Sequence, residues 1–73
     1  MEQVNKLTLE QRIRSHMLRG GFVMIRTYTR QTIYSPKHID WFKAPKAASD
    51  TGVFVRSGRN YVYVFPQYVH FSR

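Results

Sequence analysis

The chain has 73 residues, with 12 Lys+Arg against 4 Asp+Glu, no cysteine and a formal charge of +8. That length holds one small domain, residues 1–73, and excludes a two-domain enzyme. The 42% hydrophobic and 15% aromatic content is too rich for a disordered basic tail, and without thiols there are no disulfide staples or thiolate metal sites.

A core of this size supplies only about 3–5 kcal/mol net, so a protein partner or a homodimer is one expected source of further stability. Residues 1–6 are expected to be flexible. No stretch approaches the roughly 18 consecutive apolar residues of a membrane span, and Met1 to Leu9 lacks the apolar core of a signal peptide, which together predict a soluble cytoplasmic protein.

Thr8 followed three residues later by Gln11 has the spacing of a capping box, and Leu9, Ile13 and Met17 recur at i, i+4, i+8. A helix over residues 8–19 follows, stopped by Gly20-Gly21, where a positive φ costs little. On that helix Arg12 and Arg19 lie about 20° apart on one side of the apolar stripe, and Arg14 lies on the other. His16 beside the stripe reads as half-buried packing.

Phe22 to Tyr34 is rich in β-branched and aromatic residues and predicts two strands with a turn near Thr29-Arg30. Ser35-Pro36 has the form of an N-cap followed by proline at the first helical position, predicting a short helix over 36–43 with Ile39 and Phe42 inward and Trp41 at the margin. Residues 46–50 read as a loop. The strongest β pattern then follows: Gly52 to Arg56 and Tyr61 to Phe65 flank a Gly-containing turn, the signature of a hairpin. Pro66 interrupts it, and Tyr68 to Phe71 predicts a last edge strand. The fold class is α+β: an N-terminal helix packed on an antiparallel sheet with a C-terminal β-hairpin.

Alternation along the hairpin separates its side chains. Tyr61, Tyr63 and Phe65 share one face with Phe54 and Arg56, and Val53, Val55, Val62 and Val64 share the other. A two-residue Ser57-Gly58 turn sets Phe54 opposite Tyr61 and Arg56 opposite Arg59; a four-residue turn sets Phe54 opposite Tyr63. Both keep ring with ring and valine with valine. The aromatic face is then either the core itself, since rings supply most of the area a small core needs, or a surface on which bases stack beside phosphate-binding guanidiniums.

The charge favours a polyanion, because so large a cationic surplus on a small body steers anionic polymers toward it. The expected function is non-catalytic nucleic-acid binding, DNA ahead of RNA. Arg56 and Arg59 are expected on phosphate, helped by Arg12, Arg19, Arg26, Arg30, Lys43 and Lys46, with Tyr61 and Tyr63 stacking on bases. A basic hairpin after a helical segment resembles the wing of a winged-helix domain. The resemblance implies that helix 36–43 enters the major groove, with Lys37, His38, Lys43 and Lys46 as contacts. The alternative is a small protein-binding module, an inhibitor or accessory subunit docking on an acidic surface or by strand addition. The compact, basic, motif-poor character also resembles small regulatory proteins carried by phages and plasmids.

Little in the sequence points to catalysis. Glu2, Glu10, Asp40, Asp50, His16, His38 and His70 form no metal-ligand spacing, and there is no H-E-x-x-H motif or phosphate loop. No enzyme activity, cofactor, metal or small-molecule substrate is expected. A third reading, a small ribonuclease toxin, needs His38 and Asp40 on one face, which an extended segment provides and a helix does not.

Overall fold

Thr8 organises the first element. In the computed structural model, which describes residues 8–43 and 51–73, its hydroxyl accepts from the Gln11 N–H at 3.2 Å and its own N–H donates to Gln11 Oε1 at 2.9 Å. The reciprocal pair satisfies two of the donors a helix start leaves open. Helix α1 (Leu9–Leu18) follows, and the chain leaves it through Gly20 at φ 90. Gly21 serves a different purpose: a Cβ there would collide with three atoms of the His16 ring. The expectations for residues 1–6, for the loop at 46–50 and for Lys46 fall outside the described residues.

Strands β1 (Phe22–Arg26) and β2 (Gln31–Tyr34) form the expected hairpin, and β5 (Tyr68–Ser72) pairs antiparallel along the other side of β1, giving the order β2-β1-β5. Alternation turns Val23 and Ile25 inward and leaves Phe22 and Arg26 exposed.

The helix expected over 36–43 is instead a 3₁₀ helix, Pro36–Trp41, and the chain is extended again at Phe42. Two tertiary contacts account for the early end. Phe42 bridges to Val55 and the Lys43 N–H donates to the Phe54 carbonyl at 2.9 Å, so sheet pairing claims the backbone there. The Arg14 guanidinium donates to the carbonyls of Ile39 (3.1 Å) and Phe42 (2.7 Å), satisfying acceptors that further helical turns would have used. Six residues of 3₁₀ helix do not supply the groove-entering helix that the winged-helix resemblance implied.

Strands β3 (Val53–Ser57) and β4 (Asn60–Val64) form the C-terminal hairpin around Gly58-Arg59, with Gly58 at φ 64. Phe54 pairs with Tyr63, Arg56 with Tyr61 and Ser57 with Asn60. This is the register expected for a four-residue turn, but Ser57 and Asn60 pair, so the turn itself is the two residues Gly58-Arg59, and Arg56 does not stand opposite Arg59.

The inward faces of both sheets and α1 meet in one core of Ile13, Met17, Val23, Ile25, Tyr34, Phe42, Val53 and Val55. The result is a single α+β domain with an N-terminal helix and antiparallel sheets. No helix among the described residues is long and apolar enough to cross a membrane.

Candidate nucleic-acid interface

The bridge at Phe42 fixes which side chains share a surface. Phe42 and Val55 point into the core, so their neighbours Trp41, Lys43, Phe54 and Arg56 point out, as do Tyr61 and Tyr63 on β4. Phe65, just past β4, continues the row.

Rings and cations interleave across this face. The Arg56 guanidinium lies 5.8 Å from the Trp41 ring centroid and the Lys43 ammonium 5.3 Å from that of Tyr61. Phe54 stacks on Tyr61 at 5.9 Å and 21°, meets Tyr63 edge-on at 5.9 Å, and Tyr63 meets Phe65 edge-on at 5.1 Å. The Tyr61 hydroxyl donates to the Asp40 carbonyl at 3.2 Å, holding that ring against the 3₁₀ helix. Tyr63 and Phe65 fold over Gly52, where a Cβ would come within 2.9 Å of Tyr63 Cζ.

Burial decides between the two readings of the hairpin. Val53 and Val55 are buried, whereas Phe65 is 61%, Tyr63 38% and Trp41 36% exposed, with Phe54 and Tyr61 half-buried. The aromatic face is therefore the outer surface of the domain. The valine face is divided: Val62 is 42% exposed, and with Val64 it lines an open cleft of about 620 Å³ between the hairpin and the β1–β2 hairpin, shared with Ile25, Thr32 and Tyr34. Burial pushes the Tyr34 hydroxyl pKa up, against smaller opposing effects of the Thr32 side chain and Arg30.

The expected phosphate ligands fall into separate groups. Arg56 and Lys43 belong to the aromatic face, and Arg59 is exposed at the hairpin tip. Arg30 joins Arg56 in lining the cleft between the hairpins. Arg26 lies over Tyr68 on the outer face of the three-stranded sheet, with its guanidinium 5.4 Å from the ring centroid. Arg12 and Arg19 line a different, smaller cleft between α1 and β5. Of the chain's four acidic residues only Glu10 and Asp40 are described, and Glu10 is fully buried.

Trp41 sits at the margin as expected, 36% exposed and edge-on to the core ring of Tyr34 at 6.3 Å. His38 is held by Ser35, whose N–H donates to Nδ1 at 3.1 Å. On the 3₁₀ helix, with three residues per turn, His38 and Asp40 do not share a side, so the extended pairing needed for acid–base RNA cleavage is not formed. Compared with protein-family models, curated proteins and solved structures, the chain matches none.

Proposed function

We propose that this protein is a non-catalytic, single-stranded nucleic-acid-binding module of the cytoplasm, with the outer face of the C-terminal hairpin as its binding surface. The observation behind this reading is the interleaving of Trp41, Tyr61, Tyr63 and Phe65 with Lys43 and Arg56 on one partly exposed face formed by the hairpin and the end of the 3₁₀ helix. Rings at successive strand positions suit unstacked bases, and base–aromatic stacking is worth roughly 1–3 kcal/mol per base. The adjacent cations suit the phosphates between them, with Arg59 reaching the backbone beyond the tip. An exposed row of rings favours unpaired strands over a duplex groove, and DNA stands ahead of RNA.

The test is fluorescence anisotropy with labelled single-stranded and duplex oligonucleotides across a salt series. Micromolar or tighter binding to the single strand, with log K falling linearly against log salt, supports the reading. Absence of binding to both at 50 mM salt, a condition chosen from the same electrostatics, refutes it.

A second reading rests on β4, which among the described residues has β3 as its only strand neighbour, and on the cleft its valines line. An extended peptide added to that edge would place alternate side chains against Val62 and Val64. Binding of a partner protein that survives high salt and is lost on Val62→Lys would favour it.

A further inference from the structure

Positions 12, 15, 16 and 19 of α1 and its C-cap fall at i, i+3, i+4 and i+7, so Arg12, Ser15, His16 and Arg19 line one stripe of the helix. That stripe and the Phe71 ring of β5 line an open cleft of about 300 Å³. None of its residues belongs to the hairpin face.

Contacts at Arg12, His16 and Phe71 shape one side of the cleft. The Arg12 guanidinium lies 5.4 Å from the Phe71 centroid, and the His16 ring stands edge-on to the same ring at 5.3 Å. His16 Nε2 donates to the Ser72 carbonyl at 2.6 Å, because a carbonyl can only accept. Gly21, lacking a Cβ, leaves room for the imidazole. Two guanidiniums, a hydroxyl and an imidazole therefore line one cleft, with no carboxylate side chain among its lining residues. The helix dipole contributes nothing favourable near its C-terminal end, so any anion held here is held by side chains.

We propose that this cleft is an oxyanion site that takes a phosphate group, separate from the hairpin face and standing whether or not that face binds nucleic acid. Arg12 and Arg19 supply planar forks that match two phosphate oxygens each, and the Ser15 hydroxyl a further donor. The same chemistry fits a free phosphate, a phosphomonoester at the end of an oligonucleotide or a phosphodiester within one.

Titration of the ¹⁵N-labelled full chain with inorganic phosphate at constant ionic strength, followed by amide shifts, tests the site. Saturable shifts centred on Arg12 to Arg19 and Phe71, absent with chloride, are expected. Arg12→Ala with Arg19→Ala should weaken phosphate binding about tenfold or more, since two charge-assisted contacts are lost. Arg12→Lys with Arg19→Lys, which keeps the charge, should weaken it less. Arg56→Ala with Arg59→Ala should leave it unchanged, which separates this site from the hairpin face. A 5′-phosphorylated oligonucleotide binding more tightly than its unphosphorylated twin, in an Arg12- and Arg19-dependent way, identifies the monoester; equal binding that is weakened by Arg12→Ala with Arg19→Ala identifies the diester. Shifts that never saturate, that chloride reproduces, or that persist in the double alanine variant would overturn the proposal.

Discussion

The carboxylate of Glu10, fully buried on α1, accepts a hydrogen bond from the backbone N–H of Phe54 at 3.2 Å, joining the helix to the middle of the aromatic strand. Among the described residues its second oxygen, Oε2, has no hydrogen-bond partner. Burial pushes the Glu10 pKa above the ordinary 4.5, against the smaller opposing effects of the Phe54 N–H and the nearby Arg14 charge. The group thus binds its proton more tightly in the folded chain than in the unfolded one. Its contribution to stability is full below about pH 4.5 and is lost as pH rises through the elevated value. Glu10→Gln removes this dependence, so the variant should gain in melting temperature relative to the parent as pH rises above about 4.5. A difference that stays constant across that range would show that Glu10 does not titrate in it.

Arg56 and Arg59 are both exposed and contribute little to the core. Changing both to Ala should lower single-strand affinity and reduce the salt slope by about 1.4, at roughly 0.7 per phosphate contact. The melting temperature should change little, with Arg56 giving up its Trp41 contact and its 3.0 Å bond to the Gly58 carbonyl. An unaltered slope would remove the hairpin tip from the interface.

Phe65 is the most exposed ring of the aromatic row, so Phe65→Ala separates binding from folding more cleanly than Tyr61→Ala. Loss of one stacked base predicts a fall in affinity of about tenfold at nearly constant stability. Tyr61→Ala should cost stability as well, because its ring stacks on Phe54 and its hydroxyl is bonded to Asp40. Denaturation and anisotropy measured on the same two variants check both statements.

Gly21→Ala sets a methyl group against the His16 ring. The expected cost is about 1–3 kcal/mol, as for other overpacked sites. Combining it with His16→Ala should recover part of that loss, and a double-mutant cycle by urea denaturation measures the coupling. Purely additive effects would mean that the collision is not what makes glycine necessary.

Local patterns were sufficient for the elements whose signals are local. The Thr8 and Gln11 spacing started α1, the alternation around Ser57 to Asn60 marked the hairpin, and the β-branched run from Phe22 to Tyr34 marked two strands. Side-chain segregation on β3 and β4 followed from the period of two, and it holds in either register. Charge surplus was visible from composition, as was the partition of Arg12 and Arg19 from Arg14 around the helix.

Tertiary contacts decided the rest. Sequence could not say which hairpin face meets water, because both are apolar; the answer depended on Val53 and Val55 fitting beneath α1 while the bulkier rings stayed outside. Nor could it end the 3₁₀ helix at Trp41, since the bridge from Phe42 to Val55 and the bonds from Arg14 join residues far apart in the chain. Those long-range contacts turned Trp41 outward beside Arg56 and distributed the cations among several surfaces. Periodicity orders side chains within an element, whereas only the packing of elements against one another determines which of those side chains reach solvent.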